Sequence, residues 1–565
     1  MSFKKEVIKI LVEATKLKPL EIESLLEKPP NLEMGDYAFP CFILSKKLKK
    51  SPNEVGQYLL KKIKPSRKIS RAEVKGPYLN FFINKALLNK EVIGRILKEG
   101  DCYGTGNDKK EKIMIEYPAP NTNKPLHLGH VRNMLLGKSL STILDAAGFK
   151  TIQVNLNNDR GIHICKSMIA YKKWGNNKEP DKKSDHFVGD FYVLYSQKVQ
   201  KDEKLEVEAY DLLRKWEEGD KETHALWKKM NKWAINGFNE TYKKFGIKFD
   251  KVYNESEHYE VAKDIVMAGL KNKVFRKDEQ DNIIMKFGKD GMPDKVLLRA
   301  NGTSVYMTQD INLARLKYLD FKMDRSVYIV GSEQNLHFKQ LFAILKKLGF
   351  KNTDGLYHLS YGMIYLPDGK MKSREGKVID ADDLVDEMTE MARKEIKKRH
   401  NNLSEAELEK RSRQIGLGAL KFFILKYEPG KDFVFNPEES ISFEGETGPY
   451  IQYAHARINS ILAKTKGDLG EVDYANLVSK EERKIISKLE EYPSVVENAA
   501  NGYKPSLITR YLLDLAQAFN EFYHEHQILR ALDDVKGARL ALILAVKKVL
   551  KNGLNLLGIE APDRM

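Results

Sequence analysis

Glu116-Tyr117-Pro118-Ala119-Pro120-Asn121-Thr122-Asn123-Lys124-Pro125-Leu126-His127-Leu128-Gly129-His130 decides how the middle of this chain folds. Just before it, Ile113-Met114-Ile115 is a short apolar run that reads as a strand ending at Glu116-Tyr117. The Pro- and Asn-rich segment that follows is a loop. Behind His130, Val131, Met134, Leu135, Ile143 and Leu144 recur at helical spacing, and Gly148 is placed to stop that helix after Ala147. Thr151-Ile152-Gln153-Val154-Asn155 then reads as a second strand. Strand, helix and strand at these lengths predict a parallel, doubly wound α/β sheet.

The same stretch carries chemistry. His127 and His130 stand three apart at the start of a helix and so share one face. Free N–H groups and the helix dipole at that end favour an anion. Gly129 removes a side chain where a flat group would approach, and Lys124 adds positive charge just upstream. The combination describes a phosphate-binding turn without the glycine-rich loop of P-loop proteins. A His-x-x-His pair on its own is most often an incidental surface pair, and the strand, loop and helix around this one give it weight.

Outward from that turn, residues 1–110 read as a separate α+β region. Val7, Ile10, Leu11 and Ala14 repeat at helical spacing, and Val74 to Phe82 alternates like strands around Gly76-Pro77. Gly104 to Lys110 is a linker. Residues 111–410 form the Rossmann-like α/β part, interrupted by a charged, Trp- and Tyr-bearing helical insertion at about 180–300. Its second half returns at Arg325–Gly331, where Ser326-Val327-Tyr328-Ile329-Val330 suits a strand covered on both faces. Residues 411–565 are expected to be all-α.

Composition bounds the partners. Lys and Arg exceed Asp and Glu by 96 − 79 = 17, and residues 1–100 hold 21 basic and 11 acidic residues, so more than half the excess sits in under a fifth of the chain. That asymmetry fits either a polyanionic partner or a lysine-rich bias on solvated faces. No run of about 18 uncharged apolar residues is present to span a membrane. The N-terminus lacks a signal-peptide core, so a cytoplasmic location is expected. Cys41, Cys102 and Cys165 are spaced too widely for a zinc knuckle or redox pair. Each is expected as a buried small hydrophobe, with no structural zinc and no other metal site.

The turn at His127 resembles the His-Ile-Gly-His signature of class I aminoacyl-tRNA synthetases, with Leu128 in place of Ile. The Glu, Pro-Asn and Lys-Pro before it resemble the arginine enzymes of that class. The resemblance implies that His127, Gly129 and His130 meet ATP, bound with Mg²⁺ on its phosphates. Leu366-Pro367-Asp368-Gly369-Lys370-Met371-Lys372-Ser373-Arg374-Glu375-Gly376-Lys377 is similar to the second class signature, Lys-Met-Ser-Lys-Ser, with Lys372 and Ser373 as departures. Lys370, Met371, Lys372 and Arg374 are the candidates there, with Lys124 implied to stand in for the missing second lysine.

The resemblance also implies an arginine site at Glu116, Asn121, Tyr306, Asp310 and Gln334. A planar, forked, permanently charged guanidinium calls for carboxylates with further acceptors, which fits Glu116 and Asp310. The Asn155–His163 loop either fixes a turn or touches substrate. For tRNA, the segment Phe443 to Arg457 matches the opening of the family's helical anticodon-binding region, giving Tyr450, Gln452, Tyr453 and Arg457. Asn520, Tyr523 and Met565 match further on, and Tyr78, Asn80 and Phe82 are the readers implied for the N-terminal region. Aromatics there serve either base stacking or helix packing. The expected activity is ATP-dependent ligation of arginine to its tRNA by a monomer, without membrane partners. Other class I synthetases, such as the cysteine or lysine enzyme, and a catalytically dead RNA-binding paralogue are the competing readings.

Overall fold

The computed structural model describes residues 3–565 apart from 65, 259–260, 289–290, 304, 368, 371–378, 401 and 466–471. Met371, Lys372 and Arg374 therefore lie outside the described residues, and Lys370 enters through its backbone alone. The chain divides into two compact units.

The first unit holds residues 3–103 with 460–491 and 517–549. Helix Phe3–Thr15 buries Val7, Ile10, Leu11 and Ala14, as their spacing predicts. Helix Pro52–Lys62 starts on a capping box: Ser51 N donates to Glu54 Oε2 at 2.8 Å and Glu54 N to Ser51 Oγ at 3.4 Å. An antiparallel sheet orders strands Tyr37–Pro40, Tyr78–Ile83 and Ile69–Lys75. Lys75 pairs with Tyr78 across a turn at Gly76, whose φ of +59° suits glycine. Asn89 Nδ2 donates to the Tyr474 and Leu477 carbonyls at 3.0 and 3.2 Å, which ties the N-terminal region to the late helical segment within this unit.

The second unit holds residues 104–459, 492–516 and 550–565. Its centre is a five-stranded sheet of β1 (Lys112–Glu116), β2 (Lys150–Asn157), β3 (Lys251–Asn254), β4 (Arg325–Gly331) and β5 (Leu356–Tyr361). All neighbours pair in parallel, in the order β5-β4-β1-β2-β3. The order reverses between β1 and β4, and the carboxyl ends of those two strands frame the crevice where such sheets bind ligands. Helix α1 (Leu128–Ala146) connects β1 to β2, ending where Gly148 adopts φ +92°. It lies close to the sheet because Gly137 faces the Tyr117 ring, where a Cβ would come within 2.3 Å.

Two expectations change. The 180–300 insertion is helical only in part. Helices Ser184–Val199, Lys204–Glu217 and Lys221–Phe245 are followed by β3 and by a small antiparallel sheet of Arg276–Lys277, Ile283–Met285 and Lys295–Leu298. These strands are two to four residues long, too short to show a period, and β3 buries only Tyr253. Cys102 is exposed, whereas Cys41 and Cys165 are buried and burial raises their thiols to about 11 and about 12. The late chain is helical as expected, with a two-residue strand, Phe433–Val434, beside Ile364–Leu366. Among the described residues no helix is long and apolar enough to cross a membrane.

Candidate active site

The loop after β1 is held from β2. Asn155 Oδ1 accepts Ala119 N at 3.2 Å, Asn158 Nδ2 donates to Ala119 O at 2.9 Å, and Asn158 N donates to Pro120 O at 3.0 Å. Asn121 and Asn158 then face each other in a parallel bridge that leaves Asn121 exposed. The Asn155–Asn158 segment thus fixes the turn, one of the two roles its sequence allowed.

At the start of α1 the two imidazoles cap the helix reciprocally. His127 Nδ1 accepts Gly129 N, and His130 Nδ1 accepts His127 N, both at 3.1 Å. Their ring centroids are 3.9 Å apart. A Cβ on Gly129 would meet Cε1 of the His127 ring at 3.0 Å, so a side chain there would crowd the imidazole. Each Nδ1 takes a backbone N–H, so the proton of each neutral ring sits on Nε2. Burial first, and then the nearby Lys124 ammonium, push His127 down to about 3, and burial holds His130 well below its ordinary value. Two neutral N–H donors beside a lysine at a helix N-terminus make a site for an oxyanion. Burial lowers the Lys124 ammonium as well.

A buried arginine fastens this helix to the segment that leads into the second signature. Arg132 donates through Nη1 to Gly362 O at 2.6 Å and through Nη2 to Pro429 O at 2.8 Å and Lys431 O at 2.7 Å. Burial lowers its guanidinium to about 10. Beyond Gly362, strand Ile364–Leu366 pairs with Gly369–Lys370.

Across the crevice, Tyr306 opens helix α2 (Tyr306–Phe321) and is 74% exposed, with Asp310 one turn later. His337, from helix α3 (Asn335–Lys347) after β4, places Nε2 2.6 Å from Asp310 Oδ2. Gln334, just before α3, is exposed. Glu255 follows β3, bonds Gln309 and lies near Asp310, Asp159 and Arg160; burial, with the two acids adding to it, raises its carboxyl to about 7 despite Arg160. Glu116 is buried (6% exposed), and its carboxylate bonds the ammonium of Lys317, which is 1% exposed on α2. Burial pulls that ammonium below its ordinary value.

The structure thus brings Lys124, His127 and His130 together and places Tyr306 and Asp310 on one helix, as the sequence suggested. It adds Glu255, His337, Arg132 and Lys317, which sequence reasoning missed. Lys317 left a signal: it stands seven residues after Asp310, on the same helical face. Among the expected tRNA readers, Tyr523 is exposed, whereas Tyr78 and Phe82 are half-buried with Arg71 over the Phe82 ring at 3.9 Å. Tyr450 is half-buried, as is Tyr453, over whose ring Arg457 lies at 4.7 Å. Asn520 is half-buried and the Met565 carbonyl accepts from His400 at 2.8 Å. Two differ from expectation. Gln452 is fully buried and donates to the Gln414 and Glu560 carbonyls at 3.2 and 2.8 Å, and Asn80 is buried beneath the Gly35 loop. The Gln452 amide serves the fold.

The comparisons with known proteins meet this geometry. Residues 92–437 match the family model for tRNA synthetases class I (R), catalytic domain. The chain belongs to the arginine-type class I tRNA synthetases. As in that family, residues 1–83 match the arginyl tRNA synthetase N terminal domain and residues 451–565 the DALR anticodon binding domain. The arginine–tRNA ligase of Treponema denticola is 45% identical over 557 residues, covering 96% of this chain and 94% of that one. The Parabacteroides distasonis arginine–tRNA ligase is also 45% identical, with 93% and 92% covered. Among solved structures, the Thermus thermophilus arginyl-tRNA synthetase superposes with a TM-score of 0.83 at 25% identity, covering all of both chains.

Proposed function

We propose that this class I synthetase joins arginine to the terminal adenosine of its tRNA in two steps. The arginine carboxylate attacks the α-phosphorus of magnesium-bound ATP, a P–O bond breaks, pyrophosphate leaves, and arginyl-adenylate remains. The ribose hydroxyl of the tRNA end then takes the arginyl group and AMP departs. The reading rests above all on the two Nε2–H donors of His127 and His130, held at the N-terminus of the helix that follows β1. They donate to phosphate oxygens as charge builds at phosphorus, with Lys124 and Lys370, and Lys372 and Arg374 further along the second signature, opposing the charge of the pyrophosphate.

Arginine lies on the α2 side. Asp310, held by His337, takes the guanidinium with Tyr306 and Glu255, while Asn121 and Gln334 meet the amino-acid end. Glu116 supports the site through Lys317. The tRNA is held by the N-terminal and DALR regions through surface groups such as Tyr78, Phe82, Tyr450, Tyr453, Arg457, Asn520, Tyr523 and the chain end at Met565. The work is cytoplasmic. Mg²⁺ enters with ATP. Among the described residues the His/Asp grouping with ligand spacing is Asp185, His186 and Asp382, whose carboxylates pair with Lys183 and Lys244.

ATP–pyrophosphate exchange with each amino acid, with and without tRNA, tests the reading. Arginine-dependent exchange is expected. Exchange driven by lysine or cysteine would move the substrate, and none with any amino acid would favour an RNA-binding paralogue.

A further inference from the structure

The first signature is bonded to residues just downstream of the second. Leu128 N donates to Ile379 O at 3.1 Å and Ala381 N to Leu126 O at 2.9 Å, so His127 and Asp380 face each other in an antiparallel bridge. Two residues on, in the first turn of helix Ala381–Lys397, stands Asp382, buried at 6% exposure. Its Oδ2 accepts from Thr241 Oγ1 at 3.0 Å and lies 2.9 Å from Lys183 Nζ and 3.4 Å from His186 Nε2; its Oδ1 forms an ion pair with Lys244 Nζ at 2.7 Å. Lys183 also bonds both oxygens of the fully buried Asp185, at 2.9 and 2.8 Å. The other His186 nitrogen lies 3.5 Å from Asp380 Oδ2.

Among the described residues, these partners of Asp382 come from the insertion, at the start of helix Ser184–Val199 or the end of helix Lys221–Phe245. The bonds from those partners hold the Asp382 carboxyl far below its usual range. Burying carboxylates and ammoniums is costly unless each is paired, and a side chain that caps a helix start accepts from backbone N–H groups, whereas the partners of Asp382 are side chains. Asp380, the N-cap here, makes no side-chain cap bond. The network therefore exceeds what starting the helix requires, and it sits two residues from Asp380, which bridges to His127.

We propose that Asp382 is a positioning residue: gripped by Lys183, Lys244, Thr241 and His186, it fixes Ile379–Ala381, and through their backbone bonds it sets where His127 presents its imidazole. The inference rests on the function proposed above and gives the insertion a part in it.

The test is steady-state charging of arginine-accepting tRNA by the full chain. Asp382→Asn is expected to lower kcat roughly 10- to 100-fold while the arginine KM stays within about twofold, the pattern of a misplaced catalytic group. Asp382→Glu should recover part of that loss. In a His127→Ala background the same Asp382→Asn change should cost under about twofold, because the group it aims is gone. Should Asp382→Asn fail to fold, Lys244→Met and His186→Ala each remove one partner and answer the same question. Undiminished kcat in the folded variants, or an equal cost with and without the His127 imidazole, would overturn the inference and leave the proposed function standing. Absence of charging by the unaltered protein would overturn both.

Discussion

His337 holds Asp310, with Nε2 2.6 Å from Oδ2. The two residues come from different helices, α2 and α3, that flank β4 in sequence, so the carboxylate is oriented before any ligand arrives. A preset acid loses less entropy on binding a cation than one that must be ordered at that moment. Asp310→Ala is expected to raise the arginine KM by roughly 10²-fold, the scale of a lost charge-paired hydrogen bond, with the ATP KM nearly unchanged. Steady-state kinetics in each substrate check this. Equal losses for both would take Asp310 out of the arginine pocket.

Glu255 gives arginine use a pH dependence. Its carboxyl is raised to about 7 by burial and by Asp159 and Asp310. Raised means protonated below that value in the free enzyme, so binding a guanidinium must first expel the proton. Arginine kcat/KM should therefore fall as pH drops from 8 to 6, by up to about tenfold per unit below the midpoint. Glu255→Gln should lower the plateau and flatten that limb. A limb that survives the substitution belongs to another group.

The imidazoles predict the opposite behaviour. His127 and His130 are already neutral, with His127 near 3, so their protonation contributes no loss between pH 6 and 8. His127→Ala should cost about 10² to 10³ in kcat, as for one removed donor to a developing oxyanion. It also removes a helix cap, which lowers stability by about 1 kcal/mol, so thermal unfolding should accompany the kinetics.

Glu116 and Lys317 form a buried pair whose halves are unequal to its whole. Lys317→Met alone leaves a buried carboxylate and is expected to cost about 3–5 kcal/mol of stability. Glu116→Gln combined with Lys317→Met should recover much of that. Denaturant unfolding of the four proteins measures the coupling, and additive losses would show that the two side chains act separately.

The sheet was legible where its segments were long and strongly patterned: β1, α1 with Gly148 as its stop, β2 and β4 all fall where the apolar spacing puts them. β3 was not, because a four-residue strand among charged neighbours buries one side chain, Tyr253. The site divides the same way. Lys124, His127 and His130 are contiguous and share a turn, so chemistry and spacing coincide. Glu255 is an isolated acid 55 residues before Asp310, brought near it only by β3, which the sequence did not reveal. Arg132 lies on an apolar helix, and its partners are backbone carbonyls, which no residue pattern marks. Gln452 misled for the reverse reason: a polar residue in an RNA-binding segment reads as a surface group until the Gln414 and Glu560 carbonyls are seen to use it.

The most direct measurement is charging of purified arginine-accepting tRNA with each of the twenty amino acids, run beside Asp310→Ala. The account predicts ATP-dependent attachment of arginine alone, with saturation by arginine lost in the variant and ATP saturation kept. Attachment of another amino acid, or an Asp310→Ala enzyme that saturates with arginine as the unaltered chain does, would contradict it.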